Sequence, residues 1–357
     1  MVRVLIVDDS ALVRQMLTTI LRRDPQIQVV AAVSDPYAAW DAIKQFEPDL
    51  ITLDVEMPKM DGLTFLEKLM AARPMPVLMV SSLTEQGAKT TLRALELGAV
   101  DYIAKPCLDI STGLGNLANE IIEKVKQTAQ ARVQRPSRST PAERPVKRKS
   151  PGAILESTDK VLAIGASTGG TEALCQVLSA LPADAPGVVV VQHMPAGFTT
   201  AFAKRLDGIC AVRVKEAASG DRIMRGHVLL APGNYHMEVV RSGAIYSVRL
   251  NQGPPVNQFR PAVDVLFYTC AKYLGPHCTA ALLTGMGKDG AQGMLALKNA
   301  GARTIAQNEE TCVVFGMPRE AIALGAAQKV LPLERIAAEL LISNNSNTNK
   351  ERSRALC

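Results

Sequence analysis

Val161-Leu162-Ala163-Ile164-Gly165-Ala166-Ser167-Thr168-Gly169-Gly170-Thr171-Glu172 is an apolar run that stops at glycine and serine, then passes into Ala173-Leu174-Cys175-Gln176-Val177-Leu178. It reads as a buried strand, a tight turn and a helix. Ser167 then stands where an open α/β sheet presents groups to ligands and where backbone N–H groups stabilise developing negative charge. Taken alone, the Gly-x-Ser-x-Gly spacing equally fits a turn serine capping a helix. A dinucleotide loop is excluded, because Gly-x-Gly-x-x-Gly needs glycine where Ser167 stands and no Gly-Lys-Ser/Thr follows.

At 357 residues the chain exceeds one typical core, so two domains are expected. A hydrophobic content of 47% with 4% aromatics suits packed α/β domains. No apolar run reaches the length of a membrane span, and Met1-Val2-Arg3-Val4-Leu5-Ile6-Val7-Asp8-Asp9 turns acidic too early for a signal peptide, so the expected location is cytoplasmic. The seven cysteines lack a C-x-x-C pair or a histidine at ligand spacing, as expected of reduced, mostly buried thiols. Residues 131–150 hold seven basic side chains against the single acid Glu143, which accounts for the whole net charge of +6. The basic balance therefore belongs to one segment and predicts no nucleic-acid partner for either domain.

After residue 160, strands are expected at 160–165, 187–193, 211–215, 279–284 and 302–307. Helices are expected at 170–181, 197–207, 261–274, 289–300, 318–324 and 333–342. Between them 220–232 and 236–250 alternate as hairpins do, the second around Ser242-Gly243. The expectation is a doubly wound, mostly parallel α/β sheet with an antiparallel hairpin insertion. Three of its turns carry reactive groups: Ser167, His193 after Val188-Val189-Val190-Val191-Gln192, and Asp289 before Gly290. Parallel strands bring such turns to one edge. A serine hydroxyl is a weak nucleophile until an imidazole removes its proton, and the imidazole needs an acid to fix its tautomer and stabilise its cation. The order Ser, His, Asp along the chain differs from that of the α/β-hydrolases, chymotrypsin and subtilisin. Of the other histidines, His227 and His277 read as structural or solvated, and His236 as structural or substrate-side.

Residues 1–125 alternate strands at 2–7, 28–33, 50–53, 77–81 and 101–103 with helices near 10–23, 36–46, 61–72, 86–97 and 114–128. That predicts a parallel sheet with helices on both faces. Asp8 and Asp9 end the first strand and Asp54 the third, so three mutually repelling carboxylates meet in one cleft, a donor set suited to a hard, octahedral Mg²⁺. Ser81 closes the fourth strand and Lys105-Pro106 the fifth.

V-D-D-S, L-I-T-L-D-V-E-M-P-x-M-D-G, V-S-S and A-K-P, in that order, resemble the receiver domain of bacterial response regulators over residues 1–125. The resemblance implies a (βα)5, flavodoxin-like fold in which Asp54 accepts a phosphoryl group from a histidine kinase. It implies further that Asp8, Asp9, Asp54 and the carbonyl of Glu56 hold Mg²⁺, that Ser81 and Lys105 contact the phosphoryl oxygens, and that Tyr102 is the moving aromatic.

In the second half, I-G-A-S-T-G-G-T-E-A, Q-H-M-P-x-G-F-T, G-P-P-V-N-x-x-R-P-x-V-D-V-L-F, L-T-G-M-G-x-D-G and A-Q-N-E-x-x-C-V-V-F-G-M-P-R-E-A are similar to the catalytic domain of the chemotaxis protein-glutamate methylesterases and glutamine deamidases. This resemblance implies that Ser167 attacks the γ-carbonyl of a methylated glutamate or a glutamine on a methyl-accepting chemoreceptor, at the cytoplasmic side of the membrane. His193 would relay the proton, Asp289 would orient His193, and the Met286 N–H with Thr168 would hold the oxyanion, with no cofactor for the hydrolytic step.

The expected division is a receiver at 1–125, a flexible basic Pro/Arg-rich linker at 126–154, a catalytic domain at 155–342 and a disordered polar tail at 343–357. Lys147-Arg148-Lys149 also fits a nuclear-localisation or nucleic-acid patch, but the four prolines and like charges around it read as an extended linker. Two domains suggest that the unphosphorylated receiver packs over the edge bearing Ser167, His193 and Asp289 and that phosphorylation weakens that packing. A phosphorylation-controlled binding or transcription module is the alternative from another class, and it would need a helix-turn-helix that is not apparent. The same hydrolase chemistry on a non-chemotaxis signalling substrate is not separated from the first reading.

Overall fold

The computed structural model describes residues 1–57, 60–82, 84–105, 114–131, 133 and 160–342. Pro106, the greater part of the expected linker and the whole expected tail 343–357 lie outside the described residues.

The first half forms a five-stranded sheet from β1 (Val2–Val7), β2 (Ile27–Val33), β3 (Leu50–Asp54), β4 (Val77–Ser81) and β5 (Asp101–Ala104). Their order is β2-β1-β3-β4-β5 and every pair is parallel. The intervening helices are α1 (Ala11–Leu21), α2 (Pro36–Phe46), α3 (Gly62–Ala72), α4 (Glu85–Glu96) and α5 (Leu114–Ala129). Both faces of β3 and β4 are covered, so every residue of each is buried, polar Thr52, Asp54 and Ser81 included. Side-chain oxygens of Ser10, Asp35, Asp61 and Thr84 accept backbone N–H groups at the starts of α1 to α4, satisfying donors that a helix leaves unpaired. Helix α5 runs into the segment expected as linker, because Val125 and Thr128 continue the buried face begun by Ala118 and Ile121.

The second half forms a seven-stranded sheet from β6 (Val161–Ala166), β7 (Gly187–Gln192), β8 (Arg213–Glu216), β9 (His227–Leu230), β12 (Cys278–Leu282), β13 (Arg303–Gln307) and β14 (Lys329–Leu331). Its order is β14-β13-β12-β6-β7-β9-β8, with every pair parallel. Strands β10 (His236–Ser242) and β11 (Ile245–Asn251) form the antiparallel insertion. The hairpin expected over 220–232 does not form. Its apolar residues Val228, Leu229 and Leu230 are buried in β9, where β7 and β8 pair with both edges and the layers packed on the sheet cover both faces. Strand β14 was not expected; it is a three-residue edge strand with too little buried surface to leave a pattern.

The helices of this half are α6 (Gly170–Ser179), α7 (Phe198–Ile209), α8 (Val263–Tyr273), α9 (Ala291–Asn299), α10 (Met317–Ala323) and α11 (Leu333–Leu341). Strand β6 lies between β7, which leads toward one edge, and β12, which leads toward the other. This reversal opens a crevice at the carboxyl ends of β6, β7 and β12, where α/β sheets bind ligands. The five cysteines among the described residues are buried and not joined in disulfides. No described helix is long and apolar enough to cross a membrane.

Candidate active site

Ser167 leaves β6 with its N–H donating to the Thr284 carbonyl at 3.0 Å, while its own carbonyl accepts from Gln192 Nε2 at 2.8 Å and from the Gly170 N–H at 2.7 Å. Two glycines make that turn possible. Gly169 has φ +75°, which side chains rarely adopt, and a Cβ on Gly285 would lie 2.7 Å from the Ser167 Cβ. The turn after β7 brings His193 Nδ1 to 3.0 Å from Ser167 Oγ, and the turn after β12 places Asp289 Oδ2 at 2.8 Å from His193 Nε2. An ionised carboxylate only accepts, so Nε2 carries the imidazole proton and Nδ1 is left as the base facing Ser167.

Asp289 is fully buried. Oδ2 also accepts the Val263 N–H at 2.6 Å, and Oδ1 accepts Asn257 Nδ2 at 2.8 Å and the Asp264 N–H at 3.1 Å. Burial alone raises such a carboxyl, but the His193 hydrogen bond and charge, with the Asn257 and Val263 donors, win and hold Asp289 below its ordinary value. The ring of Phe259 stacks on the imidazole, with centroids 3.7 Å apart and planes at 10°.

Asn257 and Phe259 fall within the G-P-P-V-N-x-x-R-P stretch, which by itself gives neither a role. Asp264 was likewise missed; its Oδ1 accepts the Gly293 N–H and its Oδ2 the other proton of Asn257 Nδ2. A local signal existed for Asn257 alone, since asparagine tolerates left-handed turns. His236 is structural: its ring bonds the Pro254 carbonyl at 3.0 Å and the Ala262 N–H at 3.3 Å. His227 Nδ1 bonds the Arg225 carbonyl, and His227 stands at the start of β9 and His277 just before β12, the end of the sheet opposite Ser167. The Met286 N–H donates to no group among the described residues, and Met286 lies in the same strand-end segment as Asp289.

At the carboxyl edge of the first sheet, one oxygen from each of Asp8, Asp9 and Asp54 lies within 4.8 Å of the others. Arg14 Nη1 bonds the carbonyls of Asp8 and Asp9 and braces that pair. Lys105 Nζ stands 2.8 Å from Asp54 Oδ2 and 3.6 Å from Asp8 Oδ2. Burial pushes the Asp54 carboxyl up to about 6 despite Lys105, and raises Asp8 as well. Burial opposes the Lys105 charge, yet its hydrogen bond and attraction to Asp54 prevail and raise its pKa. The Glu56 N–H donates to Asp54 Oδ1 at 3.2 Å. Ser81 is not directed at the carboxylates; its hydroxyl is 3.3 Å from the carbonyls of Ser82 and Gly87.

The first half meets the Ser167 edge through the start of β5 and the end of α4, at the end of its sheet opposite Asp54. Thr168 Oγ1 donates to Asp101 Oδ2 at 2.7 Å, directly beside Ser167. Tyr102 stacks on Phe198 of α7, with centroids 4.5 Å apart and planes at 10°. Arg205 joins Glu96 of α4 to Glu172 of α6 at 2.9 and 3.0 Å. Val100 and Ala131 share an apolar cluster with Val314, against which Met286 and Val313 pack.

A family model described as CheB methylesterase matches residues 162–340, and one described as response regulator receiver domain matches residues 4–112. The protein-glutamate methylesterase/protein-glutamine glutaminase 2 of Pseudomonas aeruginosa is 59% identical over 95% of this chain and 96% of its own length. The corresponding protein of Salmonella typhimurium is 53% identical over 95% of this chain and 96% of its own. The crystal structure of the Thermotoga maritima CheB methylesterase catalytic domain is 41% identical, covers 51% of this chain and 97% of that one, and superposes with a TM-score of 0.50. With the receiver in front and relatives of this identity aligned along nearly its whole length, the chain belongs to the CheB methylesterase family.

Proposed function

We propose that the protein is a phosphorylation-activated serine hydrolase that demethylates glutamate methyl esters, releasing methanol, and deamidates glutamines on methyl-accepting chemoreceptors. The observation that carries this reading is the line Ser167 Oγ, His193 Nδ1, His193 Nε2, Asp289 Oδ2, with separations of 3.0 and 2.8 Å. Ser167 attacks the γ-carbonyl as His193 Nδ1 takes its proton; the C–O or C–N bond then breaks as His193 returns that proton to methanol or ammonia. His193 next deprotonates a water, which attacks the acyl-serine ester and releases glutamate. Asp289 stabilises the imidazolium in both halves. The Met286 N–H is the oxyanion donor, and Thr168 supports it once its hydroxyl is released from Asp101. Each turnover exchanges a neutral receptor side chain for a carboxylate, which changes charge repulsion between receptor helices. The name shared by the relatives supports this substrate.

Asp54 is the phosphoryl acceptor for a histidine kinase. The donor set fits Mg²⁺: hard carboxylate oxygens, two from fully buried residues, with Asp8 Oδ2 accepting no hydrogen bond among the described residues. Asp8, Asp9, Asp54 and the Glu56 carbonyl would hold the ion, which when bound offsets charge on the transferring phosphoryl group. Lys105 reaches Asp54 now, whereas Ser81 must turn from Gly87 to meet a phosphoryl oxygen. Release of the Asp101, Tyr102 and Glu96 contacts would then free Thr168 and open the edge at Ser167.

The test is methanol release from methylated chemoreceptor membranes, comparing wild type with Ser167→Ala, each with and without a small-molecule phosphodonor and Mg²⁺. Release that needs Ser167 and rises with the phosphodonor is expected. No release above Ser167→Ala, with Asp54 shown to be phosphorylated, rejects this substrate.

A further inference from the structure

We propose that the turn Val256–Phe259 is a positioning device for the catalytic line, with Asn257 fixing the carboxylate of Asp289 and Phe259 fixing the plane of the His193 ring. The inference rests on the roles assigned above to Ser167, His193 and Asp289.

Val256 and Phe259 exchange backbone hydrogen bonds of 3.0 and 2.9 Å across two residues, Asn257 and Gln258, with φ of 52° and 72°. Two successive non-glycine residues in the left-handed region cost free energy, and such strain persists only where the surroundings impose it. Here they do. His236 bonds the Pro254 carbonyl on one side of the turn and the Ala262 N–H on the other. The Arg260 guanidinium bonds Asn234 Oδ1 and the carbonyls of Gln252 and Gly253. A braced turn presents its side chains at fixed positions.

Asn257 Nδ2 sends one proton to Asp289 Oδ1 and the other to Asp264 Oδ2, both at 2.8 Å. Those carboxylates belong to residues only 0% and 5% exposed, and unscreened like charges repel. A neutral amide with two donors on one nitrogen satisfies both and keeps each on its own side. Without it, Asp264 Oδ2 loses the Asn257 proton, and among the described residues Asp289 Oδ1 is left with the Asp264 N–H at 3.1 Å. The carboxylates then relax by turning or by sharing a proton, and either weakens the bond to His193. Phe259, from the same turn, lies flat on the imidazole at 3.7 Å. It resists ring rotation about the line from Ser167 to Asp289, and its π-face favours the imidazolium formed during reaction.

The experiment uses the full chain with phosphodonor and methylated receptor membranes, and compares wild type with Ser167→Ala, Asn257→Gly, Phe259→Leu and Phe259→Tyr. Glycine keeps the left-handed turn while deleting the amide. Proton NMR of the same proteins without substrate follows the deshielded Nε2–H of His193, assigned by its loss in His193→Gln. Expected is a fall in kcat of about tenfold or more for Asn257→Gly with KM within about twofold, together with an upfield or broadened Nε2–H signal. Phe259→Leu should lose about threefold or more in kcat, and Phe259→Tyr, which keeps the stack, should stay within about twofold of wild type. An Asn257→Gly protein with kcat within twofold of wild type, or with lowered kcat and an unmoved signal, overturns the proposal. Should that variant fail to fold, equal loss in Phe259→Leu and Phe259→Tyr overturns it instead. If wild type releases no more methanol than Ser167→Ala, the functional reading fails, while the Nε2–H comparison still decides the positioning role.

Discussion

Each of the two parallel sheets ends in a buried aspartate, and the two are treated in opposite ways. Asp54, at the end of β3, has Lys105 and one backbone N–H, and burial lifts its carboxyl to about 6. Asp289, after β12, is as deeply buried but accepts from His193, Val263, Asn257 and Asp264, and is held below its ordinary value. Burial sets the penalty in both places, and the donors together with the neighbouring charge decide its outcome, since Asp8 repels a charge on Asp54 while His193 favours one on Asp289. An under-supplied carboxylate is open to a cation and a phosphoryl group. A fully supplied one is fixed in position and charge, as an acid behind an imidazole must be. Changing either carboxylate therefore tests a different property.

The largest effect is expected at Asp289. Asp289→Asn places an NH₂ among groups that only donate, or presents that NH₂ to His193 Nε2 and forces the imidazole proton onto Nδ1, where it blocks acceptance from Ser167. A fall in kcat of about 10⁴-fold is expected in the methanol-release assay. A loss below tenfold would mean that the four donors serve the fold rather than the chemistry.

Asp54→Asn should abolish stimulation by the phosphodonor while leaving the basal rate nearly unchanged. It should also alter stability in a direction that Asp289 cannot give. Because the folded carboxyl is raised to about 6 from an unfolded value of about 3.9, its contribution to stability is fully present below that unfolded value and lost as the pH rises through the folded one. In metal-free buffer the variant should therefore melt higher than wild type at pH 7 and decline less between those limits, what remains coming from the raised carboxyl of Asp8. Thermal melting across that range checks the sign, and an unchanged pH profile would mean that Asp54 is better compensated than its burial implies.

The elements that expose these carboxylates were legible in the sequence where burial leaves a one-dimensional trace. β6 and β7 are covered on both faces and read as unbroken apolar runs, which puts Ser167 and His193 at strand ends whatever their partners. The same logic misled over 220–232, where the chain supplies one buried parallel strand and its loops rather than two paired strands. What holds the edge together was not legible. Asn257 meets Asp289 across 32 residues and Thr168 meets Asp101 across 67, and a polar side chain keeps no local mark of a distant acceptor. Periodicity encodes which face is buried, whereas donor supply is fixed only when separate loops converge.

The smallest expected effect lies between the two halves of the molecule, where Asp101 Oδ2 holds the Thr168 hydroxyl beside Ser167. Asp101 is not isolated, since its Oδ1 also receives Lys124 Nζ at 3.2 Å and the Tyr102 N–H at 2.8 Å, so the carboxylate stays in place to accept from Thr168. A hydrogen bond to a charged group contributes about 1.5 to 3 kcal/mol when buried, and partial exposure reduces this one to about 1 kcal/mol. Asp101→Ala should accordingly raise the rate without phosphodonor about fivefold and shrink the stimulation that the phosphodonor provides by a similar factor. Raising the ionic strength of wild type should act in the same direction, by about twofold at most, through the partly exposed Glu96–Arg205 pair. If Asp101→Ala leaves the basal rate unchanged while the phosphodonor still stimulates, the restraint lies in the stack of Tyr102 on Phe198, an apolar contact indifferent to salt. The response of the basal rate to salt in Asp101→Ala then separates the ionic part of the restraint from the stacked one.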